Sequence, residues 1–246
     1  MTYSIQQWSQ LWSSIDTWTF TIILSCAFPI AGYLLFRRLK KKSDSGLNSR
    51  KIRTYTYVIL SEWMFVFGLI WLNYKHGYSI VELGENFGNL NSTIITTAVL
   101  LAIFAVMAYL NVQQIRQMNL DKLEAELGPL KMFLPSNRSE SIVFILIAFT
   151  AGICEELLYR GWLQNMFVYG TGSVWIGLLL GAVIFGFGHA YQGKLGIVQT
   201  GIYGLIFGAV FLFTKSLVAG QVLHVVIDSV NGLIGGYAFS LFNAKS

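Results

Sequence analysis

Two adjacent acids and an arginine, in the run Glu155-Glu156-Leu157-Leu158-Tyr159-Arg160, lie beside long apolar segments. Ionisable groups are expensive at hydrocarbon depth, so those found there mark function by default. Glu156 and Arg160 are four residues apart and share a helical face, whereas Glu155 points about 100° away. Arg160 can therefore hold Glu156 and leave Glu155 free for proton transfer. A plain ion pair knitting helices together is the competing reading.

Two further constellations follow. In Phe185-Gly186-Phe187-Gly188-His189, Phe185 and His189 share a face and the glycines allow close approach to the imidazole. In His224-Val225-Val226-Ile227-Asp228 the same i,i+4 spacing aligns a base with an acid, and Asn231 stands a turn farther on. A lone histidine in a membrane is often a packing residue; these two have ionisable company, and His76 in a loop has none. Two histidines and several carboxylates could bind a divalent metal, but neither HExxH nor another specific zinc spacing occurs. No cofactor is favoured, and a divalent metal stays open.

The elements that carry these residues must be membrane helices. Of 246 residues 54% are hydrophobic and 12% charged, about half the charge of a soluble domain. Runs long enough to cross about 30 Å of hydrocarbon lie near Trp18 to Phe36, Tyr55 to Trp71 and Ile94 to Leu110. A fourth starts near Ser141, a fifth spans Ser173 to Gly188, a sixth Ile197 to Phe213 and a seventh Leu217 to Val230. Leu233 to Phe242, apolar but short, would be a partial eighth span or a helix packed inside the bundle. The expected fold is all-α, one polytopic transmembrane helical bundle over residues 1–246 with seven or eight membrane segments and a motif core over 141–231. Cys26 and Cys154, both in apolar stretches, exclude a disulfide framework.

Eight of the 17 Lys/Arg residues fall between Arg37 and Arg53. The positive-inside tendency puts that loop in the cytoplasm and the N-terminus outside. It needs no nucleic-acid partner. The first span lacks a basic leader and is expected to be a retained anchor. Met118 to Leu127 is mildly amphipathic and is expected to lie on the membrane surface or to form a connecting helix before Gly128-Pro129 ends it. From Ser141 onward glycine becomes frequent, with pairs at Gly177/Gly181, Gly204/Gly208 and Gly232/Gly236 that permit close helix approach. The earlier helices then read as a peripheral scaffold and the later ones as a packed core.

The three motifs together resemble those of the CPBP family, also called the Abi or CAAX prenyl protease 2-like family: EExxxR, FxxxH and Hxxx followed by Asn or Asp, in that order. The likeness runs from about Ser141 to Asn231. It implies an intramembrane endopeptidase of a membrane-associated protein or peptide, in a multi-pass protein of a bacterial cell membrane. Glu155 would be the general base that activates water, with His189 binding and orienting that water. His224 and Asp228 would lie near the scissile carbonyl. An ionised Asp228 cannot donate to an oxyanion, so Asp228 would either be protonated or orient His224 as the donor, and the second is favoured. Glu156, Arg160, Phe185 and Asn231 would support the site. The family's eukaryotic prenyl-protein proteases carry Asn where Asp228 stands, so a prenylated substrate does not follow from the resemblance.

Two other readings compete with hydrolysis. Relatives linked to bacteriocin immunity make a noncatalytic membrane interaction protein one alternative. Intramembrane acids, including Glu62 in the second span, would also suit a proton-coupled transporter. The hydrolytic reading meets one geometric obstacle. If the fourth helix enters at Ser141 and the fifth returns from Ser173, Glu155 and His189 fall toward opposite faces. Extending the fourth helix to Val168 still leaves His189 too far inward; a broken helix or a re-entrant stretch around Gly161 to Gly172 is one way to repair this, and the sequence alone does not choose.

Overall fold

The computed structural model describes residues 4–41, 47–119, 122 and 133–245. Most of Met118 to Leu127 and the Gly128-Pro129 stop lie outside them. The described residues are helical, with no strand among them. A short amphipathic α1 (Ile5–Trp12), closed by a Ser4/Gln7 capping box, leads to α2 (Ile15–Ile22), a π-helical turn (Ile23–Ala27) and α3 (Phe28–Lys41). Then come α4 (Leu47–Lys75), a 3-10 turn (Ile80–Leu83) and α5 (Leu90–Gln117), the last capped by Asn89. The second half has α6 (Arg138–Glu155), a π-helical stretch (Glu156–Gln164) and α7 (Asn165–Thr171), which form one continuous rod. It closes with α8 (Val174–Gly188), a 3-10 turn (Ala190–Gln192), α9 (Gly193–Thr214) and α10 (Leu217–Lys245).

Six of these helical runs are long and apolar enough to cross a membrane: Ile15–Arg38, Lys51–Lys75, Leu90–Gln117, Arg138–Thr171, Ala190–Thr214 and Leu217–Ala238. They make the protein an integral membrane protein. The expectation of seven or eight segments is corrected in two places. The fifth, Val174–Gly188, is a shorter apolar helix of about 22 Å at 1.5 Å per residue, less than the hydrocarbon thickness. The partial eighth, Leu233 to Phe242, is the continuation of α10; no proline interrupts the chain after Val230, and Gly232, Gly235 and Gly236 serve as packing positions against Phe144, Leu134 and Pro135.

The loop ends sort into two sets. At one end Lys51 Nζ, beside the basic loop, donates to the Leu134 carbonyl (2.9 Å) and pairs with Glu140 (3.4 Å), and Tyr55 Oη donates to the Phe133 carbonyl (2.6 Å). At the other end Gln7 Nε2 donates to Glu82 (2.7 Å), Trp12 packs on Tyr169 and Leu217 N donates to the Gly84 carbonyl (2.9 Å). This is the alternation expected of a chain that threads back and forth. Gly84 sits at φ +104°, and a Cβ there would strike the Phe211 ring, so only glycine lets this loop close over the start of α10.

The glycine pairs serve close packing. A Cβ at Gly204 would lie 3.0 Å from Ala182 Cα, and Gly208 faces Leu178 and Gln164. Gly177 faces Val168, and Gly232 faces Phe144. α4 meets the rear core through Glu62, Phe65, Val66 and Leu69, all buried and spaced i, i+3, i+4, i+7.

Candidate active site

The site forms where the π-helical stretch, the end of α8 and the second turn of α10 meet. Glu155 closes α6 and Glu156 opens the π stretch. Short π segments inside α-helices recur at functional sites because they displace side chains from the 3.6-residue repeat. Asn165 repairs the ladder, donating from Nδ2 to the Gly161 carbonyl at 2.9 Å.

The depth obstacle is removed by the hairpin at Gly172, whose φ of +67° ends α7 in the left-handed conformation. Glu155 stands 17 residues before Gly172 and His189 stands 17 residues after it. Two antiparallel arms of equal length bring their ends to one level. No break in the chain and no re-entrant stretch is required; α8 is simply short and stops at His189.

Around that level the ionisable groups converge. Glu155 Oε1 lies 4.0 Å from His189 Nε2, and Glu155 Oε2 lies 3.6 Å from His224 Nε2. His189 Nδ1 is 3.0 Å from the Phe185 carbonyl; as donor there, it turns Nε2 toward Glu155. His224 Nδ1 is 2.9 Å from Glu156 Oε1, and its Nε2 is 3.5 Å from Asp228 Oδ2. The nearer carboxylate that fixes the His224 ring is thus Glu156 rather than Asp228. Asn231 is exposed, and no hydrogen bond among the described residues joins it to this cluster.

The two adjacent acids have opposite surroundings. Glu156 is 1% exposed and faces Arg160 Nη1 at 2.9 Å as well as His224. Glu155 is 15% exposed, and its Oε2 has no hydrogen-bond partner. Arg160 lies between aromatic faces, its Cζ 4.1 Å from the Phe185 ring centre and 5.3 Å from that of Phe207. Desolvated cation–π contacts of this kind contribute about 2 kcal/mol. Phe207 also stacks on His224, with ring centres 5.1 Å apart. Phe185 therefore supports the site twice, through its carbonyl and through its ring.

Some participants were not visible as motif residues. A Cβ at Gly220 would stand 2.9 Å from Glu156 Oε2, so this position admits the buried acid. Tyr191 packs on His189 at 5.8 Å and continues into Phe133 and Phe36. Glu62 on α4 is buried, and its Oε2 has no hydrogen-bond partner. Its signal in the sequence is an acid inside the i, i+3, i+4, i+7 stripe. Among the described residues, no group of three or more His, Cys, Asp or Glu side chains is arranged to hold a metal ion.

An all-helical membrane bundle with acids and histidines gathered at one depth is the frame of an intramembrane enzyme or proton carrier. Residues 137–230 match the model of the type II CAAX prenyl endopeptidases, Rce1-like. This segment is an Rce1-like domain of the CPBP/Abi family. It holds every motif residue named above, and the spans before it lie outside the match. No curated protein and no solved structure matches the chain.

Proposed function

We propose that the protein is an intramembrane endopeptidase that hydrolyses a peptide bond in a membrane-associated protein or peptide, with Glu155 as general base. A bacterial cell membrane is the proposed setting. The observation that carries this reading is the position of one carboxylate between two imidazoles, Oε1 toward His189 and Oε2 toward His224. Separations of 4.0 and 3.6 Å are too long for direct hydrogen bonds and suit a bridging water.

Glu155 takes a proton from that water while His189 Nε2 holds the oxygen in place. The oxygen adds to the scissile carbonyl carbon and the carbonyl oxygen gains negative charge. A doubly protonated His224 donates from Nδ1 to Glu156 and keeps Nε2–H for that oxyanion, with Asp228 beside it. The C–N bond then breaks and Glu155 returns its proton to the leaving amine. Glu156 and Arg160 position His224 and touch no substrate.

The test is cleavage of a membrane-peptide library by purified protein in lipid, with Glu155→Gln as comparison and a chelator as a separate arm. The reading expects Glu155→Gln to abolish cleavage and the chelator to leave it intact. Loss on chelation with recovery on metal addition would replace it with metal-assisted hydrolysis. Biological output that survives Glu155→Gln, His189→Ala and His224→Ala would favour a binding role, and proton-linked solute flux without cleavage a transporter.

A further inference from the structure

Aromatic rings clamp α3, a helix that precedes the Rce1-like segment, at two points. At the first, the Phe28 ring centre lies 4.6 Å from that of Phe65 on α4. At the second, the Phe36 ring lies 5.4 Å from Phe133 and 5.8 Å from Tyr191. The second clamp is itself tied down, because Tyr55 Oη donates to the Phe133 carbonyl at 2.6 Å and Lys51 Nζ to the Leu134 carbonyl at 2.9 Å. Tyr191 also packs on His189, with ring centres 5.8 Å apart. The clamp therefore borders the water-holding pair of His189 and Glu155, whose side chains keep 16% and 15% exposure.

Between the clamps the inward face of α3 is not filled. Phe28 and Phe36 both point into the protein, and Gly32 projects between them, about 40° from each at 3.6 residues per turn. Yet Gly32 is exposed, and a Cβ there would meet nothing within 4 Å among the described residues. The glycines of the rear core behave in the opposite way: a Cβ at Gly152, Gly177 or Gly208 would strike a neighbour at 2.4 Å or less. Leu35, beside Phe36, is 50% exposed. The run Pro29-Ile30-Ala31-Gly32-Tyr33-Leu34-Leu35 carries no acid, lysine, arginine or histidine, so this side of the opening is apolar.

We propose that the opening at Gly32 is the lateral entry to the hydrolytic site, and that its occupant is an extended, apolar stretch of the substrate arriving from the lipid. The inference rests on the hydrolytic reading for the identity of the occupant. Dimensions and polarity select it. The two clamps stand eight residues apart, about 12 Å along the axis before the rings themselves take their share. An α-helix with its side chains, about 10–12 Å across, does not pass between them, whereas an extended backbone needs about 5 Å. A wall without charge or strong hydrogen-bonding groups suits apolar side chains and not a path for ions or water. The substrate therefore unwinds next to α3 before its scissile bond reaches His189.

Two measurements on the full chain in lipid test this. In the first, Gly32→Ala, Gly32→Leu and Gly32→Trp fill the opening in steps, and thermal stability is read alongside cleavage of a membrane-spanning peptide. KM should rise with side-chain volume, by about tenfold or more for Gly32→Trp, while kcat and the melting temperature stay near the parent values. A KM indifferent to Gly32→Trp, or losses that only follow stability, would overturn the entry. The second measurement needs no turnover. Gly32→Cys in a Glu155→Gln, Cys26→Ser background is labelled with a benzophenone maleimide and irradiated with the same peptide, and Ile103→Cys on the lipid face of α5 serves as the reference. Selective capture of the peptide at position 32 supports the proposal. Equal capture at both positions, or capture of lipid alone at position 32, would overturn it. If the parent cleaves nothing yet position 32 captures the peptide selectively, the protease reading fails and the entry stands as a peptide-binding groove.

Discussion

The front and rear halves of this chain are both apolar, yet they use apolarity differently. In the span Leu90–Gln117 only 6% of the most apolar window is buried inside the protein, and in Ile15–Arg38 only 17%. For Arg138–Thr171 and Leu217–Ala238 the share is 44%. Lys51–Lys75 and Ala190–Thr214 stand between these, each with 33% buried; the outermost helices expose leucine, isoleucine and valine, while α6 and α10 turn small residues and charges inward. Hydropathy therefore marks both halves as membrane, and only the placement of glycine and acids marks one as machinery. The halves nonetheless share one core: α4 packs on α6 and α5 on α10, Phe65, Val66 and Leu69 join Cys154, Leu157 and Trp162 in it, and the loop with Gly84 and Glu85 closes over α10.

The largest expected contrast lies between Glu155 and the lipid face of α5. Glu155→Gln should lower cleavage by about 10²–10⁴-fold, the span of a lost general base. Ile103→Ala, at a side chain 51% exposed, should leave cleavage unchanged. Equal losses in a peptide-cleavage assay would erase the division of labour between the halves. Next comes Glu156→Gln, which strands Arg160 and the His224 Nδ1 in a buried site. Breaking one partner of a buried pair costs about 3–5 kcal/mol, so both thermal stability and turnover should fall. A variant as stable as the parent would mean that this pair does not organise the core.

The residues of the site were legible in the sequence because their chemistry lies in residue type and short helical spacing. Glu156 and Arg160 do meet, and Phe185 does align with His189. Their convergence was hidden by the assumption that every apolar run spans the bilayer. The equal offsets of Glu155 and His189 from Gly172 were present in the numbering, but they place both at one depth only once α8 is known to be short. The segment at Leu233 to Phe242 was set apart by apolar length alone, whereas Gly232, a packing position against Phe144, keeps it on the same helix as His224. Glu62 was visible as a charge in a span, but its burial depends on the packing of α4 against α6, which no local spacing encodes.

Gly220→Ala gives a smaller and more local test of the rear half. The added methyl would press on Glu156 Oε2, and that carboxylate cannot retreat easily because Arg160 and His224 hold it. Overpacking of this kind costs about 1–3 kcal/mol. Activity should fall together with stability while KM for a peptide substrate stays near the parent value, since nothing at Gly220 needs to touch substrate. A raised KM with unchanged stability would place Gly220 in a substrate groove instead.

The smallest effect concerns the seam itself. Glu85, in the loop before α5, receives Gln221 Nε2 from α10 at 3.0 Å on each carboxylate oxygen. Burial pushes the Glu85 carboxyl above its ordinary range, and the hydrogen bond from Gln221 partly opposes that rise. With the folded value above the unfolded one of about 4.3, both states are protonated at low pH and no penalty exists. As pH rises, the unfolded chain ionises first, and stability falls until pH has passed the folded value. The slope from one group cannot exceed about 1.4 kcal/mol per pH unit. Glu85→Gln should remove this slope from the thermal stability measured between about pH 4 and 7, while Ile103→Ala keeps it. A slope that persists in Glu85→Gln would mean that the closing loop is not electrostatically tied to α10, and the loop would then be held there by neutral contacts such as those of the Gly84 carbonyl with Leu217 N and of the Asn86 carbonyl with Ser216.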